Sequence, residues 1–198
     1  KNLVFSAQKN EDDTWHIWTL SLVSGVFSQV TSGNNNCTDP TWLPDGNIAY
    51  SKLIQGDKAS YSHHALFVIH PDGCCDHRIS FHPHDDLNAI VTLDGRLVFT
   101  SRQVYPEAGP VRYITMRPDG TKAELFYEPA GDQVTLAKPV ETPDGLVVFP
   151  EAGNLNYVRF NRPLHSLARI STGNTTDITS AGFFDNPIVF TGLIDGVS

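Results

Sequence analysis

The chain has 198 residues, enough for one sizeable core and rather long for two compact domains. Apolar residues make up 40% and charged residues 18%, which excludes disorder, and no apolar run approaches the roughly 18 residues of a membrane helix. A net charge of −8, with 14 Lys+Arg against 22 Asp+Glu, argues against a nucleic-acid partner. Three cysteines, two of them adjacent, cannot make a paired disulfide framework. No basic segment followed by an apolar stretch opens at Lys1, so no signal peptide is expected in this chain.

Taken from the first residue onward, the chain repeats. A short apolar run with an aliphatic-aromatic pair recurs at Val4-Phe5, Ala49-Tyr50, Val98-Phe99, Val148-Phe149 and Val189-Phe190, at spacings of 45, 49, 50 and 41. Tight turns precede three of these runs: Pro44-Asp45-Gly46, Leu93-Asp94-Gly95 and Pro143-Asp144-Gly145. A second series, Val23-Ser24-Gly25, Pro71-Asp72-Gly73 and Pro118-Asp119-Gly120, falls between them. Asp-Gly supplies the positive φ that a tight strand reversal needs. The runs between turns are rich in β-branched and aromatic residues, and none shows helical spacing.

Each unit therefore predicts four up-and-down strands, A to D. The first unit lacks A and starts on a B strand at 2–7. The second predicts 40–43, 48–52, 65–70 and 77–81; the third, 88–92, 96–101, 112–117 and 123–128; the fourth, 138–142, 146–150, 155–160 and 165–171. A last B strand is expected at 187–192. Four short strands in each unit of about 40–50 residues predict propeller blades, whereas a sandwich supplies no reason for a fixed long period. The fold expected is all-β, a β-propeller of four-stranded antiparallel blades. Its divisions are a partial blade at 1–31, blades at 32–81, 82–128 and 129–172, and the start of a further blade at 173–198.

The segment Asp39-Pro40-Thr41-Trp42-Leu43-Pro44-Asp45-Gly46-Asn47-Ile48-Ala49-Tyr50-Ser51 resembles the blade motif of TolB-like (PD40, or WD40-like) β-propellers. Its second half resembles Ala65-Leu66-Phe67-Val68-Ile69-His70-Pro71-Asp72-Gly73, and the third unit repeats both halves. In the fourth unit Asn161-Arg162-Pro163-Leu164 replaces the second turn. The resemblance implies about four blades of a larger, six- to eight-bladed ring, completed by further blades of the same protein or by a second copy. It also implies a periplasmic, cell-surface or secreted location. Such blades serve binding proteins, the gating propellers of serine peptidases, and lyases. The reading favoured is a non-catalytic module that recognises a protein or glycan. The alternatives are a metal-dependent polysaccharide lyase of the oligogalacturonate lyase type and a peptidase propeller.

Topology places the Asp-Gly turns on one face and the B–C loops and D-to-A links on the other, the loop face where a ligand is expected. Tyr61, His63, His64, Tyr105 and Arg112 are the candidate ligand contacts there. His82-Pro83-His84-Asp85-Asp86 offers imidazoles and carboxylates to a divalent metal, Zn²⁺, Mn²⁺ or Ni²⁺. The proline between the two histidines favours an extended backbone that points them apart, and solvated loop histidines are the plainer expectation. The resemblance to oligogalacturonate lyases implies manganese held by histidines and a glutamine; Gln103 lies on that face, but the family's spacings are absent, so no catalytic residue is carried over. Cys74-Cys75-Asp76-His77 lacks haem-attachment spacing, adjacent cysteines on a tight turn are not expected to chelate one metal readily, and the pair reads as two small turn residues. Trp15, Trp18 and Trp42 are expected in the inter-blade core. No nucleophile elbow and no phosphate-binding glycine loop are present.

Overall fold

A computed structural model describes residues 1–11, 13–55, 62–129, 138–143, 145–151 and 154–159. Tyr61 and the strands expected at 165–171 and 187–192 lie outside the described residues, as does the boundary at 172–173. The described residues form strands and turns with no helix. Four antiparallel sheets follow one another along the chain. Blade I is β1 (Asn2–Ala7), β2 (His16–Ser21) and β3 (Phe27–Gln29). Blade II is β4 (Cys37–Trp42), β5 (Ile48–Gln55), β6 (Ser62–Ile69) and β7 (His77–Arg78). Blade III is β8 (His84–Val91), β9 (Leu97–Gln103), β10 (Val111–Met116) and β11 (Glu124–Tyr127). Blade IV contributes β12 (Val140–Glu141), β13 (Leu146–Glu151) and β14 (Asn154–Arg159). Strand order within each sheet is the up-and-down order expected of a propeller blade.

Because side chains alternate across a strand, each sheet has two apolar faces, and each face meets a neighbouring blade. Ile48 and Tyr50 of β5 pack towards blade I with Ile17, Val30, Cys37 and Ile69. Ala49, between them, packs towards blade III with Leu66, Val68, Leu97, Phe99 and Met116. Strand β9 repeats the arrangement, with Leu97 and Phe99 facing blade II while Val98 joins Tyr113, Val147 and Phe149 at the junction with blade IV. Burying a side chain of this size contributes about 1.5–3 kcal/mol, so these junctions dominate the favourable free energy of folding.

Two strands begin earlier than the alternation predicts. The first strands of blades II and III start at Cys37 and His84, not at positions 40 and 88. A register shift between Thr38 and Thr41 recurs between Leu87 and Ile90. At each shift one residue is left-handed, Asp39 (φ 53) and Asn88 (φ 59). A bulge of this kind inverts the in-out pattern, so the strand beyond it reads as loop. Residues His84, Asp85 and Asp86, expected in a loop, are therefore strand residues, as are His63 and His64 on β6.

The turn glycines fall into two kinds. Gly46 has φ +87 and open space where a Cβ would lie. Gly73 and Gly120 (φ +87 and +82) lie against the preceding blade, where a Cβ would sit 2.9 Å from the carbonyl oxygen of Val30 and 2.6 Å from that of Ile79. Those two carbonyls follow the last strands of blades I and II, so the second turn of each blade is wedged on its neighbour. Lys138, ahead of β12, reaches further back, 3.5 Å from the Pro40 carbonyl of β4. Burial lowers its pKa, and the Asp39 carboxylate partly restores it.

Gly46→Ala is expected to cost only the left-handed strain, about 1–2 kcal/mol. Gly120→Ala adds a backbone collision and should cost roughly twice as much. Urea unfolding midpoints of the two variants measure the difference; equal losses would mean that blades II and III do not touch at this turn.

Candidate functional site

The loop-face ends of β6, β7, β8 and β9 bring together most of the residues singled out above. His63 is buried, and its Nε2 accepts a hydrogen bond from the Arg78 guanidinium at 3.1 Å. Arg78 is turned into this position by a bond from its Nε to the Ser80 carbonyl, and its guanidinium stacks on Phe81 at 5.3 Å. The Asp85 carboxylate accepts the His64 backbone N–H at 2.7 Å and lies 3.0 Å from His64 Nδ1. Burial works against the ionised form of Asp85, but the ring and backbone hydrogen bonds from His64 hold it below the usual carboxylate range. His84 Nδ1 lies 3.1 Å from the Ser101 hydroxyl.

His82 and His84 are not splayed apart as the intervening proline suggested. Their ring centroids are 4.5 Å apart. The extended stretch is interrupted where the link enters β8, so the first ring folds back over the second. Nor are the histidines simply solvated. Burial, then the neighbouring His84, Arg78 and His63, push the His82 pKa down to about 4. Burial and the Arg78 charge lower His63; burial and the Arg112 charge lower His84. The group is held in the neutral form first by burial, which disfavours the charged ring, and then by nearby cations that oppose a further positive charge.

Asp86 is the anomaly of the region. It is fully buried, and neither carboxylate oxygen makes a hydrogen bond of normal geometry. His82 Nε2 lies 3.5 Å from Oδ2, and His82 Nδ1 is itself buried without a hydrogen-bond partner. Burial raises the Asp86 pKa to about 7, opposed by the Ser80 and Ser101 hydroxyls. Both shifts favour the neutral forms of the pair, a protonated carboxyl beside an uncharged imidazole.

The preceding blade shows which of these features belong to the fold. Asn36 and Cys37 stand where the next blade has Asp85 and Asp86: Cys37 faces Lys52 of β5 as Asp86 faces Ser101 of β9, and the Asn36 carbonyl accepts the Leu53 N–H. Asn36 Oδ1 accepts the Trp15 backbone N–H at 2.9 Å, as Asp85 accepts that of His64. Thr31 and Ser80 likewise accept the N–H groups of Ile17 and Leu66, each at 2.9 Å. Asp85 is therefore the third blade's version of an inter-blade latch. Asp86 has no such excuse: its counterpart, Cys37, is an ordinary core residue.

The metal set expected at His82, His84, Asp85 and Asp86 divides accordingly. Asp85 is engaged by His64, and among the described residues these four do not bring three donor atoms within 4.8 Å of one another. Gln103 pairs with His84 across β8 and β9. Tyr105, 59% exposed in the link between β9 and β10, and Arg112, paired with Glu128 at 3.0 Å, stand on the same face. Trp15 is 41% exposed, not core, because its position precedes β2 and only its backbone is latched. Trp42 packs in the junction between blades I and II as expected. Arg78 and Ser80 were missed; the 49-residue offset that relates Thr31 to Ser80 was the available signal. On the opposite face, a depression of roughly 510 Å³ lies between blades II and III, lined by Asp45, Asp94, Arg96, Arg117 and Asp119 among others.

Four-stranded up-and-down sheets packed face to face define a β-propeller, and the fold is that of the TolB-like propellers. A TolB from Acinetobacter baumannii superposes with a TM-score of 0.58 at 13% identity, covering 80% of this chain and 37% of that one. A protein described as a TolB from Agrobacterium tumefaciens gives 0.56 at 22% identity, over 67% and 47% of the two chains. An oligogalacturonate lyase in complex with manganese gives 0.52 at 17% identity, over 72% and 39%. An uncharacterized protein of Agrobacterium fabrum is 25% identical over 139 residues, 68% of this chain and 46% of its own length. No family model matches the chain. The chain spans less than half of the length of each of these proteins.

The folded pKa of Asp86, raised from 3.8 to about 7, has a definite sign in stability. Its contribution is intact below about pH 4 and is lost as pH rises through 7. Asp86→Asn should therefore be more stable than the parent at pH 8, by on the order of 2 kcal/mol relative to the comparison at pH 5. Unfolding midpoints at the two pH values measure this; a constant difference would show that the carboxylate has a compensating partner.

Proposed function

We propose that the chain is part of a binding module that recognises a protein or a glycan through the loop face of its propeller. One observation carries the reading. Three pairs of ionisable groups on that face are engaged with one another, His63 with Arg78, His64 with Asp85 and Arg112 with Glu128, while the aromatic surfaces of Phe81 and Tyr105 are 74% and 59% exposed. Exposed aromatics on a stiff β scaffold suit recognition, since little side-chain freedom is lost on binding. Tyr105, Arg112 and His64, with Tyr61 from outside the described residues, are the proposed contacts, and buried His63 reaches the face through Arg78. Likeness to TolB propellers supports a periplasmic or cell-surface setting and a macromolecular partner. Among the described residues no helix is long and apolar enough to cross a membrane.

Arrayed glycans and a displayed peptide library test this directly. A ligand found by either should bind at least about tenfold more weakly to Tyr105→Ala/Arg112→Ala, the loss typical of one or two anchor residues. Asp119→Ala, on the turn face, should leave binding unchanged. A ligand indifferent to the first variant and lost with the second would overturn the reading.

A second reading is a metal-dependent polysaccharide lyase, with His82, His84, Asp85 and Asp86 at a divalent metal. The buried Asp86 carboxylate, 3.5 Å from His82 Nε2, speaks for it. The lack of a third donor within 4.8 Å among the described residues speaks against it. Plasma mass spectrometry on untagged protein should find metal unchanged in His82→Ala/His84→Ala. One Mn, Zn or Ni per chain, lost in that variant, would favour the lyase over the binding module.

A further inference from the structure

Blades II and III carry the same turn at the same place, with different side chains. The second blade reads His70-Pro71-Asp72-Gly73-Cys74-Cys75, and the third Arg117-Pro118-Asp119-Gly120-Thr121-Lys122. In each the aspartate accepts the backbone N–H two residues on, at 2.9 Å, and the glycine is left-handed. In each the last residue is left-handed too, Cys75 at φ 63 and Lys122 at φ 58. The backbone is set by the repeat, whatever side chains it carries.

With the second blade's side chains, that backbone gathers metal donors. Cys74 Sγ and Cys75 Sγ are 2.9 Å apart. His70 Nδ1 is 2.8 Å from Asp72 Oδ1. Donor atoms of His70, Asp72 and Cys74 all lie within 4.8 Å of one another, the one such group of three among the described residues. All are exposed, so a cation reaches them without opening the fold.

We propose that this turn binds a thiophilic divalent cation of the Zn²⁺ type through His70, Asp72 and Cys74, with Cys75, whose sulfur lies beside that of Cys74, brought in as fourth donor. Two sulfurs and an imidazole select a borderline-soft ion over Mg²⁺ or Ca²⁺. Zn–S bonds of ~2.3 Å in a tetrahedron place two sulfurs ~3.8 Å apart. From 2.9 Å, rotation of two exposed side chains supplies the change. Binding replaces the two thiol protons, which leave to solvent as the thiolates ligate. The site lies on the turn face and is independent of the loop-face reading.

Reduced, metal-free protein is titrated with Zn²⁺ against a chromophoric chelator, and separately with Co²⁺. Expected are one Zn²⁺ per chain and, with Co²⁺, a near-ultraviolet sulfur-to-cobalt charge-transfer band. Cys74→Thr/Cys75→Lys installs the third blade's own residues on the same backbone. It should keep the melting temperature of the metal-free parent, abolish the band and weaken Zn²⁺ binding by about 100-fold or more. His70→Arg should weaken it by about tenfold or more. His82→Ala/His84→Ala should change neither result. Zn²⁺ binding that survives the double cysteine change, or Co²⁺ bound without the band, would overturn the proposal.

Discussion

Blades II and III cannot hold their shape alone, because their second strands are apolar on both sides. Ile48 and Tyr50 need blade I while Ala49, between them, needs blade III; Val98 needs blade IV while Leu97 and Phe99 need blade II. A sheet with two such faces is stable only between two others. The polar details follow from that demand. Turn glycines wedge on the neighbouring carbonyl, Thr31 and Ser80 hold the N–H groups of Ile17 and Leu66 within their own blades, and Asn36 and Asp85 latch one blade's leading strand to the previous blade.

Much of this was legible in the residues. Asp-Gly turns and the recurrent apolar pair locate the blades, and β1 and the starts of β5 and β13 lie where alternation puts them. The bulges at Asp39 and Asn88 were not legible, since nothing in Asp-Pro or Asn-Ala announces a left-handed residue within a strand. That gap hid the strand character of His84, Asp85 and Asp86 and so misjudged their solvation. Burial is a property of the junction, and a histidine next to a proline reads as loop until the neighbouring sheet is in place. The close, tilted approach of the His82 and His84 rings is of the same kind.

Repetition also supplies an internal control. Where two blades agree, the shared feature belongs to the architecture: the latch at Asn36 and Asp85, or the aspartate that closes each turn. Where they differ on an identical backbone, the difference demands a separate reason. Asp86 against Cys37, and Cys74-Cys75 against Thr121-Lys122, are the two sharpest departures. One places a carboxylate where the fold offers only an apolar junction, and the other turns a plain reversal into a cluster of donors. Chemistry in repeat proteins is concentrated at such departures because the scaffold tolerates them without changing course.

The bond from Lys138 to the Pro40 carbonyl spans 98 residues and skips a whole blade. A row of units joined only to nearest neighbours frays from its ends, each unit answering for its own loss. A tie from the fourth blade to the second encloses the third, so its release requires both flanking units to part. Closing so long a loop adds little more entropy than closing half of it, since the cost grows only with the logarithm of length. The three blades are thereby bound into one cooperative block, and damage at Asp39 or Pro40 would be felt as loosening of a sheet that neither residue adjoins in the chain.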